Sequence, residues 1–344
     1  MALMLSTTGL PAEEPHGGAL VRARAAFPAA PLPWIDLSTG INPWPWPLPP
    51  LPSELWTRLP EAGLDLAFRA RAAEAVGAPG PAFVAAAPGT QALIQLLPRL
   101  VPPGTVAVVG PTYGEHAACW RLAGHRVADV PDLEAAVAAG AAVAVLVNPN
   151  NPDGRALAPA AVLDAAAAQA ARGGWLVVDE AFADALPVGS VAHAAGAPGL
   201  VVLRSFGKFY GLAGLRLGFA LAAPEVAAVL RRALGPWAVP GPALAAGAAA
   251  YADRAWQAAT SERLAAAAAR LDGVLSGAGL RVLGGTPLFR LAEAPADDAA
   301  GIVRALAGAG ILVRTFAAEP SRLRFGLPPD EAALARLAAA LGRA

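Results

Sequence analysis

One lysine occurs in the 344 residues, Lys208, within Ser205-Phe206-Gly207-Lys208-Phe209-Tyr210-Gly211 and just after the apolar run Leu200 to Leu203. The other strongly basic residues are all arginine. A guanidinium stays protonated in proteins and forms no imine at neutral pH, so a lone lysine in such a chain has a chemical reason to be there. Apolar neighbours disfavour the ammonium form. A neutral amine in a pocket forms Schiff bases. Ser205 stands three residues before the lysine and Arg216 eight after it. A hydroxyl and a fixed guanidinium fork are what a phosphate monoester asks for. Amine, hydroxyl and guanidinium together suggest an aldehyde that carries a phosphate, pyridoxal 5'-phosphate. The plain alternative, a solvated lysine at a strand end, leaves the absence of any other lysine unexplained.

Other polar groups fall at comparable places. Asp179 follows the apolar run Trp175 to Val178. A carboxylate there can pair with a pyridinium nitrogen and keep the ring an electron sink, or it can cap a turn. Asn151, in Asn148-Pro149-Asn150-Asn151-Pro152-Asp153-Gly154, can hydrogen-bond a phenolic oxygen or serve as a turn residue. Tyr113 can stack on a ring or pack in a core. Gly89, Thr90 and Gln91 lead into a helix, where exposed backbone N–H groups suit an anion. Thr90 as an ordinary N-cap is an equally good reading of that turn.

These residues need a scaffold that gathers strand ends. Apolar runs at 105–109, 126–130, 142–147, 175–178 and 200–203 alternate with helical segments ending near Ala123 and spanning 132–139 and 160–171. Runs without apolar–polar alternation, separated by helices, predict an α/β fold with a mainly parallel sheet covered on both faces. Ligands of such sheets bind beyond the carboxyl ends of the strands, so Asn151, Asp179 and Lys208 should converge. Helices are expected at 64–76 and 92–100 and a further strand at 216–221. An alanine-rich helical region from Pro224 to about Ala278, broken at Gly235-Pro236 and Pro240-Gly241-Pro242, leads to short strands and helices of an α+β unit. The expected division is an arm at 1–55, a large domain at 56–225, and an interdomain helix with a small domain at 226–344. Proline density in the arm forbids a helix. Trp34, Trp44, Trp46 and Trp56 are too apolar to leave in water, so the arm should lie ordered on the rest.

Composition excludes several classes. Twenty-six acidic and 26 basic residues and a pI near 6.9 speak against a nucleic-acid surface or a polybasic membrane patch. Cys119 stands alone, so no internal disulfide framework exists. No apolar run reaches eighteen residues, and no basic region precedes a long apolar core. The expectation is a cytoplasmic protein with neither nucleic-acid nor membrane partners.

The motifs taken together resemble fold-type I, aminotransferase-like PLP enzymes. They are Ala-Pro-Gly-Thr-Gln (87–91), Asn-Pro-Asn-Asn-Pro-Asp-Gly (148–154), Asp-Glu-Ala-Phe (179–182), Ser-Phe-Gly-Lys (205–208) with Gly-Leu-Ala-Gly-Leu-Arg (211–216), and Arg-Leu-Arg-Phe-Gly-Leu-Pro (322–328). The resemblance implies a seven-stranded, mainly parallel large domain, a small α+β domain, and a homodimer with active sites at the subunit interface. It implies Lys208 as the Schiff-base lysine and Gly89, Thr90, Gln91, Ser205 and Arg216 around the cofactor phosphate. Tyr113 would lie on the ring, Asn151 at its phenolic oxygen, Asp179 at its nitrogen, and Arg324 at the substrate carboxylate. Within the family, His16-Gly17-Gly18 and Ser38-Thr39-Gly40-Ile41-Asn42-Pro43-Trp44-Pro45 resemble the threonine-phosphate decarboxylase branch of cobalamin biosynthesis. That likeness implies a phosphorylated amino-acid substrate held by His16, Gly17, Asn42, Asn151, Arg314 and Arg324. Two departures stand out: Phe182 where many relatives have tyrosine, and Leu59 where many have a tyrosine that reaches the neighbouring subunit's cofactor. A histidinol-phosphate-type aminotransferase and a non-catalytic protein of this fold remain the alternatives.

Overall fold

The computed structural model describes residues 17–186, 189–295 and 298–342. Among these, the chain builds two sheets. Strands β1 (Ile35–Leu37), β2 (Val84–Ala87), β3 (Thr105–Val109), β4 (Arg126–Val130), β5 (Val143–Val147), β6 (Trp175–Asp179), β7 (Leu200–Ser205), β8 (Gly218–Leu221), β9 (Arg281–Thr286), β10 (Phe289–Glu293), β11 (Ile311–Thr315) and β12 (Arg322–Gly326) follow in chain order. The first sheet has seven strands in the order β2-β8-β7-β6-β5-β3-β4. Neighbours from β7 to β4 are parallel, and β8 runs antiparallel to both β2 and β7. This is the mainly parallel α/β sheet expected from the unalternating apolar runs.

Both faces of that sheet are buried, which is why its strands show no polar alternation. Val106, Val108, Val143, Val145, Val177, Val201 and Leu203 pack on one side. Ala107, Val109, Ala144, Leu146, Leu176, Val178, Leu200 and Val202 pack on the other. Register sets Val147 beside Asp179 and Asp179 beside Leu203, so the ends of β5, β6 and β7 lie level.

The second sheet has five strands in the order β1-β11-β12-β10-β9. Its outer strand β1 comes from the N-terminal segment and pairs parallel with β11, Leu37 opposite Val313. The N-terminal segment also contains a helix, Leu20–Ala26, contrary to the expectation from its prolines. That helix occupies the proline-free interval between Pro15 and Pro28, where nothing removes its donors. Trp34 and Trp46 are buried as expected, whereas Trp56 is 66% exposed. Other boundaries also shift from expectation, two of them as follows. The helix expected from Ala92 starts at Thr90 and gives way to a 3-10 turn at Leu97–Arg99. The strand expected from Arg216 starts at Gly218, because Arg216 takes a left-handed conformation.

The stretch after β1 is bound to the Lys208 loop by its backbone. The Asn42 N–H donates to Lys208 O at 3.0 Å and the Trp46 N–H to Tyr210 O at 2.9 Å. The Asn42 amide donates to Phe209 O at 2.8 Å. Indole donors anchor the same stretch elsewhere, Trp44 to Pro329 O at 2.7 Å and Trp46 to Asp253 at 3.1 Å. Gly211 permits the approach: it has φ +69°, and a Cβ there would lie 2.7 Å from Pro45 Cα. Gly211→Ala should therefore destabilise the protein by about 1–3 kcal/mol, read as a lowered denaturant midpoint at unchanged slope. An unchanged midpoint would mean that the two segments are free to separate.

Candidate active site

A cavity of about 270 Å³ opens beyond the ends of β5, β6 and β7. Lys208, Asp179, Asn151, Ser205 and Tyr113 line it, as do Gly89, Thr90, Gln91 and Arg216. Gly17, Arg314 and Arg324 complete the sequence-predicted set on its wall. Strands and loops far apart in sequence thus converge where the topology requires. His16 lies outside the described residues. Asn42 does not line the cavity. It is 2% exposed, its amide donates to Phe209 O, and its carbonyl accepts the Trp44 N–H at 2.9 Å. In this arrangement its side chain joins two backbone segments.

Lys208 stands at the mouth of the loop after β7, its Nζ 5.5 Å from the Phe182 ring centroid. Burial lowers its pKa to about 8, helped by Arg324 and Arg216 and opposed by Asp179. The Phe182 ring packs edge-on against Phe289 at 5.0 Å. Gly40 sits over both rings, since a Cβ there would lie 2.9 Å from Phe289 and 3.0 Å from Phe182.

Asp179 ends β6 and is 3% exposed. One oxygen meets His116 Nε2 at 2.9 Å and the other accepts the Ala181 N–H at 3.0 Å. His116 was not singled out from the sequence. It reads as an ordinary position on the helix Gly114–Leu122, and only the fold brings it to a carboxylate 63 residues away. Tyr113 precedes that helix, and its hydroxyl donates to Gln91 at 3.3 Å. Burial, then Glu115 and Asp179, push the Tyr113 phenol up to about 12. Arg216, at φ 51°, lies against the chain at Gly89, where a Cβ would sit 2.8 Å from its Nη2. A left-handed arginine costs about 1–2 kcal/mol, so the surrounding structure holds this guanidinium in place.

Arg314 and Arg324 are register partners on β11 and β12. Like charges directly opposed on neighbouring strands repel. Arg324 is 7% exposed and donates to Asn151 Oδ1 and, at 2.7 Å, to Ser38 O. Its Nε is buried without a partner. Burial and Arg314 lower its pKa to about 10, with Asp36 acting the other way. The pair is a ready receptor for anionic groups. Among the described residues, no cluster of His, Cys, Asp and Glu could hold a metal ion.

The family model described as aminotransferase class I and II matches residues 53–341. The chain belongs to that family. A threonine-phosphate decarboxylase from Sinorhizobium sp is 49% identical over 334 residues, covering 95% of this chain and 97% of the relative. A protein of the same name from Pseudomonas aeruginosa is 46% identical, covering 95% and 96%. The solved histidinol-phosphate aminotransferase from Sinorhizobium meliloti, in complex with pyridoxal 5'-phosphate, superposes with a TM-score of 0.83 over 99% of this chain and 98% of that one. Its identity is 24%, so the likeness is one of fold.

The lowered lysine pKa has a direct readout. In the cofactor-free protein, acetylation of Lys208 should rise with pH to a half-maximum near 8 rather than above 10, because the neutral amine is the nucleophile. Mass spectrometry reads it without ambiguity, since the chain has one lysine. A midpoint above 10 would mean a hydrated amine.

Proposed function

We propose that this chain is a PLP-dependent carboxy-lyase that converts L-threonine O-3-phosphate to (R)-1-aminopropan-2-yl phosphate and carbon dioxide in cobalamin biosynthesis. The observation that carries the reading is one cavity that joins the single lysine, a strand-end carboxylate and a cross-strand arginine pair. Relatives that bear the decarboxylase name at 46–49% identity support it.

The residues suit the cofactor's parts. The bare Gly89 lets the Arg216 guanidinium lie against the chain there, Thr90 and Gln91 line the same cavity, and Ser205 adds a hydroxyl. These groups would hold the phosphate. Asp179, oriented by His116 and the Ala181 N–H, would keep a proton on the ring nitrogen. Tyr113 would cover the ring. The Asn151 carbonyl is engaged by Arg324, which leaves its amide as the donor to the phenolic oxygen. When bound, the group supplies an electron sink conjugated to the substrate's amino nitrogen.

The chain's own residues do the rest. Lys208 supplies the amine that attaches the aldehyde, and its lowered pKa keeps a useful fraction neutral near pH 7–8. Arg314 and Arg324 hold the substrate's two anionic groups, Gly17 lies at the rim, and Asn151 steadies Arg324. The substrate is oriented so that the Cα–carboxylate bond is the one that breaks. Carbon dioxide leaves, and the carbon takes a proton from the released Lys208 in its ammonium form.

The reading includes a cytoplasmic homodimer divided into an arm (1–55), a large domain (56–225) and a small domain with its connecting helix (226–344). Trp56, Leu59 and Trp237 are 66%, 63% and 59% exposed beside a groove lined by Pro60, Glu61 and Trp237. Apolar side chains this exposed on adjoining segments suit a second copy. Leu59→Asp should shift the protein from dimer to monomer in sedimentation. A wild-type monomer would overturn the assembly.

Purified protein with PLP and L-threonine O-3-phosphate, without any oxo acid, should release carbon dioxide and the aminopropanol phosphate. Lys208→Ala should lower turnover by about 10³-fold. Turnover only with histidinol phosphate and 2-oxoglutarate would replace the decarboxylase by an aminotransferase. A Lys208→Ala protein with undiminished activity would remove the lysine from the chemistry.

A further inference from the structure

Ser38 is 2% exposed and collects four polar contacts in one place. Its hydroxyl donates to Asp36 Oδ1 at 2.5 Å, and its N–H donates to the same oxygen at 2.9 Å. Its Oγ accepts the Gly18 N–H at 2.7 Å. Its carbonyl accepts from Arg324 Nη2 at 2.7 Å. The hydroxyl has one proton, and Asp36 takes it. The lone pairs are thereby turned toward Gly18.

Gly17 and Gly18 are exposed, and Gly17 lies on the cavity rim. Among the described residues, the bond from Gly18 to Ser38 is the hydrogen bond that ties residues 17–19 to anything beyond the helix Leu20–Ala26. The seat is tight. A Cβ on Gly17 would lie 2.6 Å from Ser38 O, and Gly18 has φ +86°. One serine thus touches the rim segment through its hydroxyl and the buried anion receptor through its carbonyl. Asp36 acts on both, since it holds the hydroxyl and its charge opposes the lowering of the Arg324 pKa.

We propose that Ser38, held by Asp36, is a positioning residue that fastens residues 17–18 at the cavity rim to the Arg324 guanidinium, so that an anionic substrate group on Arg324 meets an ordered rim. This rests on the phosphorylated amino acid proposed above as substrate. Arg324 Nη2 holds Ser38 O and the Ser38 hydroxyl holds the Gly18 amide, so an anion on the guanidinium tightens a connection that is already in place. The latch adds affinity for the bound substrate and has no part in bond breaking, so it acts on KM rather than kcat.

Two measurements on the holoenzyme test it. Ser38→Ala and Asp36→Ala should raise KM for L-threonine O-3-phosphate about fivefold to tenfold, the weight of one net hydrogen bond, with kcat altered less than twofold. Asp36→Asn keeps an acceptor for the hydroxyl and should recover most of the loss. Amide hydrogen exchange at Gly18 should slow when L-threonine O-3-phosphate is added to the wild type, and should not respond in Ser38→Ala. An unchanged KM in Ser38→Ala, or ligand-induced slowing of Gly18 exchange in that variant, would overturn the latch. If the wild type slows Gly18 exchange with this ligand but releases no carbon dioxide, the latch stands and the proposed reaction falls.

Discussion

The structure depends on the backbone clamp across the Lys208 loop. The carbonyls of Lys208, Phe209 and Tyr210 follow a strand end and have no sheet neighbour to receive donors. Asn42 and Trp46 provide those donors from the N-terminal segment. Buried carbonyls without such partners would need water, and water at this point would hydrate the lysine. The clamp therefore does two things. It orders a proline-rich segment with little regular structure, and it keeps the amine in surroundings that lower its pKa to about 8. Trp44 and Trp46 extend the clamp to Pro329 and Asp253, so the same segment joins both sheets.

Beneath the cavity, strand alternation separates chemistry from support. Asp179 and Ser205 face the cavity, while their neighbours Glu180 and Arg204 face away and form a buried ion pair at 2.9 Å. Glu180 also accepts from Ser190 at 2.6 Å and from the Val191 N–H at 2.7 Å, and Arg204 reaches Asp184 as well. Removing one member of such a pair costs about 3–5 kcal/mol, because a buried charge is left alone. The ends of β6 and β7 are thus tied together one residue away from the groups that face the ligand.

The electrostatics of the other wall are unsatisfied by design of the register. Arg314 and Arg324 oppose each other, and Arg324 keeps a buried Nε without a partner. The fold's rigidity holds two cations together, and a doubly anionic ligand would relieve the repulsion. The lysine, the carboxylate and this pair line one cavity. It suits a substrate with anionic groups at one end and an amine at the other.

The sequence by itself determined the sheet class, because parallel strands buried on both faces leave unalternating apolar runs that need no third dimension to read. It also pointed to Lys208, Asp179, Asn151 and Arg216, which the fold gathers at one cavity, since a lone lysine and polar residues that punctuate strand ends are local signals. Only the tertiary structure decided the partners. His116 sits at an unremarkable helical position until the fold sets it against Asp179. Asn42 carried a motif that pointed to substrate, yet packing turned its amide onto Phe209 O. The helix Leu20–Ala26 formed in a segment whose average proline content argued against it, because the prolines lie outside that interval. Arg314 and Arg324 became direct neighbours through cross-strand register, which no spacing along the chain encodes. Periodicity and rarity are properties of a line; which group faces which depends on how far-apart segments pack.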